Sequence, residues 1–173
     1  MPVNLELKAR YSSPEEARAR AAACGASHRG ILLQQDTYFR VPCGRLKVRE
    51  TGGEEGELIY YERSDETAER WSHFTRERVG DGAGAARVLA GALGVLAVVR
   101  KRRELFLFRD ARIHIDEVDE LGTFVEFEVT GGENDATLAT MKELRSAFGI
   151  SDADVVKVSY SDMILAKRIS GGS

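Results

Sequence analysis

Cysteine is scarce in this chain of 173 residues, with only two. Cys24 and Cys43 lack the paired spacing of a metal site, and a single disulfide is out of place in a reducing compartment, so both read as incidental thiols. No apolar run is long enough to cross a bilayer, and the first residues lack the basic, apolar and small-residue regions of a secretory signal. A soluble, cytoplasmic protein with no membrane partner is expected. Positive charge is not in excess either. The formal net charge of −3 removes the broad electrostatic attraction that nucleic-acid binding needs, so any polyanion site must be local. Repeats, low-complexity tracts and interdomain linkers are also missing. What is present is 43% hydrophobic residues, enough for one domain over residues 1–173 to bury a core.

Pro14 to Gly25 predicts a helix, with Ser13 as N-cap, Pro14 at the first helical position, Glu15 and Glu16 in the first turn and Gly25 at the end. From Arg29 to about Arg78 the pattern changes to short runs rich in Ile, Leu, Tyr and Val, broken by PCG at 42–44 and TGGEEGE at 51–57. Ala, Val and Leu recur at helical spacing from Gly84 to Leu93. Strands resume from Val95 to Thr130, with turns near Arg109-Asp110 and Leu121-Gly122. A third helix is expected over Glu133 to Phe148, and a short last one within Asp154 to Lys167. Roughly eight strands and three or four helices, without a βαβ rhythm, indicate an α+β antiparallel barrel or strongly curved sheet.

The two-residue period of a strand sorts side chains by face. In NLELK, Asn4, Glu6 and Lys8 oppose Leu5 and Leu7. In RLKVR, Arg45, Lys47 and Arg49 oppose Leu46 and Val48, and in LIYYER the residues Ile59, Tyr61 and Arg63 share a face. Lys101 and Arg103 share a face with Val99. Arg112, His114 and Asp116 oppose Ile113 and Ile115, and Glu126 and Glu128 oppose Val125, Phe127 and Val129. Alternation alone does not say whether these charged faces meet water or an enclosed space. If helices cover the outside of the sheet, the charges are forced inward. A dry interior of that kind is prohibitive, because each desolvated ion costs several kcal/mol or more unless paired or solvated. The space would then be a wet tunnel holding a ligand. Clustered Arg and Lys suit a polyphosphate, and carboxylates beside it suit a hard divalent cation.

QDTYF at 35–39, GRLKVRE at 44–50 and IYYERSD at 59–65, taken with LELK, the Lys101-x-Arg103-Glu104 group, RIHIDEV and LGTFVEFEV, resemble the CYTH superfamily of triphosphate tunnel metalloenzymes. Within it the chain looks most like the class IV adenylate cyclase (CyaB-like) branch. The ordered similarity runs from about Val3 to Leu165. The resemblance implies an eight-stranded antiparallel barrel with helices on its outside and a triphosphate in its tunnel. It further implies Mg²⁺ or Mn²⁺ held by Glu6, Glu126 and Glu128. Lys8, Arg45, Lys47, Arg49, Lys101, Arg103 and Arg112 would contact the phosphates, with Arg63 and Lys157 as weaker matches. Asp116 matches a further tunnel acid, and with Lys8 it is the expected catalytic group. One departure stands at the first strand, where the family motif is Glu-x-Glu-x-Lys and this chain has Asn4. Its amide keeps an acceptor but loses the charge, so it would ligate a cation weakly.

The expected activity is conversion of ATP to cyclic AMP and pyrophosphate, with the proton of the ribose hydroxyl passing to a nearby carboxylate, for which Asp116 is the candidate, or to water. A triphosphatase acting on tripolyphosphate, thiamine triphosphate or a nucleotide would use the same cradle. A non-catalytic polyphosphate or nucleotide binder is the third reading. Tyr38, Phe39, Tyr60 and Tyr61 are expected to pack rather than stack on a base, and His114 to touch phosphate or play a structural part. Trp71 and the Arg76/Arg78 pair would line one mouth of a barrel, and edge pairing between two barrels would give a homodimer.

Overall fold

The alternation in the first strand sets the plan of the molecule. In the computed structural model, which describes residues 3–63 and 69–171, β1 (Val3–Arg10) buries Leu5, Leu7 and Ala9 on one side and turns Asn4, Glu6 and Lys8 to the other. Seven further strands repeat that division: β2 (Ser27–Phe39), β3 (Arg45–Thr51), β4 (Gly56–Arg63), β5 (Arg70–Val79), β6 (Val95–Phe108), β7 (Ala111–Val118) and β8 (Gly122–Val129). They close into an antiparallel barrel in the order β1-β5-β4-β3-β2-β6-β7-β8, with β8 returning to β1. Among the described residues each strand pairs with a neighbour on both sides, β1 and β5 doing so over Val3–Glu6 of β1.

Four helices complete the fold: α1 (Pro14–Ala23), α2 (Gly82–Leu93), α3 (Asp135–Ala147) and α4 (Tyr160–Gly171). Each of the first three starts at a side-chain cap that accepts a backbone N–H, namely Ser13 from Glu16, Asp81 from Gly84 and Asn134 from Thr137. The α2 helix therefore begins two residues before the run of apolar spacing suggests. Ala17 and Ala21 of α1 and Met141 and Leu144 of α3 pack on Leu5, Leu7, Ile113, Ile115, Val125 and Phe127, which are the outward residues of β1, β7 and β8. At about 25 cal/mol per Å² of apolar surface removed from water, this outer layer is what forces the charged faces inward.

α4 does something different. It closes one end of the barrel, where Tyr160 and Ile164 join the inward residues Tyr38, Ile59, Tyr61, Val99 and Phe124. It also starts later than the expected 154–167 helix. Val155 bridges Ala9, and the Val156 N–H donates to the Lys8 carbonyl at 2.8 Å, so this stretch is drawn along β1 before the helix can begin. The helix then opens on a reciprocal cap: Asp162 N–H donates to Ser159 Oγ at 3.1 Å, and Ser159 N–H donates to the Asp162 carboxylate at 3.3 Å. Among the described residues, no helix is long and apolar enough to cross a membrane.

Candidate active site

Register places the charged residues against one another inside the barrel. Glu6 faces Glu128 and Lys8 faces Glu126 across β1 and β8. Arg112 faces Glu128 and His114 faces Glu126 across β7 and β8, while Arg103 faces Asp116 across β6 and β7. Among the described residues, the narrow part of the lumen, about 140 Å³, is lined by seven cations, Lys8, Lys47, Arg49, Arg76, Lys101, Arg103 and Arg112, against the three carboxylates Glu6, Glu126 and Glu128. A protein of net charge −3 thus carries a concentrated positive interior.

Two buried carboxylates behind the lining hold these cations in place. Asp36, 1% exposed, accepts from Arg49 Nε and Nη2 at 2.7 and 2.8 Å, from Lys47 Nζ at 2.8 Å and from Lys101 Nζ at 3.2 Å. Burial alone would raise its pKa, but the charges of Arg49, Lys101 and Lys47 outweigh that and hold it well below the usual carboxylate range. Asp116, with no exposed surface, accepts from Arg103 Nε and Nη2 at 2.7 and 2.6 Å and from the Tyr160 hydroxyl at 2.9 Å. Its pKa is also lowered, because Arg103 overcomes the opposing effect of burial.

The expectation that Asp116 accepts a proton is corrected by this geometry. Both of its oxygens are occupied, it is held ionised, and it stands behind Arg103 rather than on the lumen wall. Lys8 does reach the lumen, with its Nζ 3.9 Å from the centre of the Tyr160 ring. Lys101 is the lumen lysine whose titration is moved toward neutral pH. Burial, partly offset by Asp36 and reinforced by Arg49, Arg103 and Lys47, lowers its pKa to about 7. Burial and Arg103 lower the pKa of His114 from its ordinary value.

Glu126 lies 3.4 Å from Arg103 and 3.4 Å from His114 Nδ1, and Glu128 accepts from Arg112 at 3.1 Å. Asn4, expected as a weak ligand, instead donates its amide N–H to Glu128 and fixes that carboxylate. Among the described residues, no three His, Cys, Asp or Glu side chains already converge as a metal site. The donor chemistry nevertheless fits a hard divalent cation: Glu6 and Glu128 are direct cross-strand partners, Glu126 is two residues along the same face, and all three line the lumen.

Other expected positions fall elsewhere. Arg45 sits at the end of β3 and pairs with Asp162 at 2.8 Å, tying β3 to the start of α4 rather than lining the lumen. Lys157 is exposed between the barrel and α4. The side chain of Arg63 lies outside the described residues, although its backbone pairs with Ser72. Trp71 turns outward onto the outer core, because its neighbours Ser72 and Phe74 are the ones facing in. Arg76 and Arg78 do border the wider end of the lumen, and Tyr38 and Tyr61 line its narrow part. Asp36, Ser159 and Tyr160 were not singled out by sequence. For Asp36 the signal was present, since it shares the parity of Tyr38.

The sequence profile of the CYTH domain matches residues 3–160, and the chain belongs to that family. A Methanocaldococcus jannaschii protein named "putative adenylate cyclase" is 34% identical over 68 residues, a match spanning 38% of this chain and 39% of that protein. Among solved structures, a Pyrococcus horikoshii protein superposes with a TM-score of 0.84 at 24% identity, covering 92% of this chain and 98% of that one. A Hippeastrum protein, described as a "putative adenylyl cyclase" with a dominant triphosphatase activity, superposes with a TM-score of 0.68 at 15% identity, covering 95% of this chain and 96% of that one. These likenesses extend to the closed eight-stranded barrel with its four helices.

Proposed function

We propose that the barrel binds a triphosphate in its narrow lumen and acts as a divalent-metal-dependent enzyme on ATP, giving cyclic AMP and pyrophosphate. The observation that carries this reading is the lining itself, seven cations facing three carboxylates inside a closed barrel. Arg49, Lys47 and Lys101, fanned out by Asp36, neutralise phosphate oxygens from one side. Arg103, held planar against Asp116, and Arg112 do so from the other. Glu6, Glu126 and Glu128 would hold Mg²⁺ or Mn²⁺, which when bound supplies further positive charge to the phosphate oxygens. In the reaction the ribose 3′ oxygen bonds to the α-phosphorus, the bond to the β-phosphate oxygen breaks, and the hydroxyl proton passes to solvent. The residues contribute mainly position and fixed charge.

Hydrolysis is the second reading. The same cradle serves it, with water in place of the ribose hydroxyl, and the naming of the Hippeastrum fold neighbour supports it.

The test is a product assay with ATP or tripolyphosphate and Mg²⁺ or Mn²⁺, with Glu126→Gln as control. Cyclic AMP and pyrophosphate in equal amounts, lost in the variant, are expected. Orthophosphate without cyclic AMP would make the chain a triphosphatase, and retained ligand binding without any product would make it a binding protein.

A further inference from the structure

The lumen changes character along its length. Beyond the narrow part it widens, toward the turn joining β3 and β4, into a chamber of about 470 Å³. Arg49, Arg76, Arg103, Arg112 and Glu128 border both spaces and form a waist between them. Past that waist the wall is no longer dominated by phosphate-binding groups.

Leu32 on β2 and Leu105 on β6 offer half-buried apolar surface. Gln34 and His114 stand beside them, 7% and 5% exposed, and Gln34 Oε1 and His114 Nδ1 have no hydrogen-bond partner within the protein. His114 Nδ1 lies 3.4 Å from Glu126 without the alignment of a hydrogen bond. The strand pattern explains the grouping: His114 is directly across from Leu105, and Gln34 follows Leu32 on the same face of β2. A buried polar atom left unsatisfied costs about 1–3 kcal/mol, so two of them on residues that line one chamber favour a solute with a hydrogen-bonding edge. An inorganic phosphate is a poor match, because a carboxamide oxygen is itself an acceptor and offers phosphate oxygens no hydrogen bond, and leucine side chains offer none either. A flat heterocycle is a good match: its faces meet Leu32 and Leu105, and its edge meets Gln34 and His114.

We propose that the wide chamber is the subsite for the base of a nucleoside triphosphate, with Gln34 and His114 as the residues that read its edge and the α-phosphate at the waist. This rests on the narrow lumen being the triphosphate site. It makes a nucleotide, rather than inorganic triphosphate, the substrate the whole lumen fits.

Calorimetric titration in EDTA, where metal-dependent turnover is halted, separates the two ideas. The probes are ATP, GTP, CTP, UTP and tripolyphosphate, each against wild type, Gln34→Leu, Gln34→Glu and His114→Phe. Expected is a ratio of nucleotide to tripolyphosphate affinity that falls at least tenfold in Gln34→Leu and in His114→Phe. The conservative Gln34→Glu is expected to reorder the four nucleotides, which a merely structural residue would not do. Wild type that binds tripolyphosphate but no nucleotide, or variants that weaken all ligands in proportion, would overturn the base subsite and leave the phosphate site standing. Wild type that binds neither kind of ligand would overturn both.

Discussion

Asp36 makes four hydrogen bonds to three cations, drawn from strands on both sides of its own. Replacing it by Asn keeps the shape and removes the one negative charge they share. Breaking a buried ion pair by removing one partner costs about 3–5 kcal/mol, and a loss of that order is expected for Asp36→Asn. Because a bound polyanion restores negative charge beside the same cations, tripolyphosphate should raise the melting temperature more in the variant than in wild type. Scanning calorimetry with and without ligand checks both parts. A variant as stable as wild type would mean that the three cations do not depend on Asp36. Alternation with apolar residues put Lys47, Arg49 and Lys101 on charged strand faces, and the family resemblance turned those faces inward. Asp36 escaped that reading, since a lone acid in QDTYF gives no alternation of charge. Arg45 was misplaced for another reason. It begins its strand, and at a strand end the guanidinium reaches sideways to whatever carboxylate is near, here Asp162.

Among the elements, α4 is the least legible and the most consequential for the site. Helices announced by a cap and a break, such as α1 with Ser13 and Pro14, were readable within about two residues. α4 was not, because its beginning is decided by pairing of Val155 and Val156 with β1, a contact between distant parts of the chain. Its hold on the barrel runs through Ile164, 1% exposed against the inner apolar cluster. Truncation to Ala should cost about 2–5 kcal/mol through lost burial and the cavity left behind. Urea denaturation should show a lower midpoint at unchanged slope. A variant with the wild-type midpoint would mean that α4 rests on the barrel without stabilising it.

The whole molecule separates charge by location, with a net charge of −3 and a lumen lined mainly by cations. Lys101 links that interior to pH. In the free protein its pKa is lowered to about 7, burial being the largest cause. A bound polyanion favours its charged form and raises that value. Below pH 7 Lys101 is charged with or without ligand, so its share of the affinity is constant. Above pH 7 binding must recruit a proton, and affinity should fall with rising pH, approaching tenfold per unit until the bound-state pKa is reached. Calorimetry at pH 8 in buffers of different ionisation heat should detect proton uptake with tripolyphosphate, diminished in Lys101→Met. Uptake unchanged in that variant would assign the linkage to another group. At this scale the sequence pattern indicated the antiparallel class and the charged faces, and the resemblance supplied closure and the inward direction of those faces. Neighbour order, with β5 seated between β1 and β4, is set by pairings that no local pattern encodes.

The seam between β1 and β8 has a kinetic side. The hydrogen bond from Asn4 to Glu128 joins residues 124 positions apart, and Glu6 meets the carboxylates of β8 only across that seam. Contacts so distant along the chain form only after the entropy of bringing its ends together has been overcome, which makes them slow. A chain still lacking β8 carries most of the lumen's cations but neither Glu126 nor Glu128. Because β8 meets β7 through a short turn but meets β1 only across the length of the chain, Glu126 and Glu128 join Arg112 and His114 by local pairing, and Glu6 joins them when the circle of strands closes.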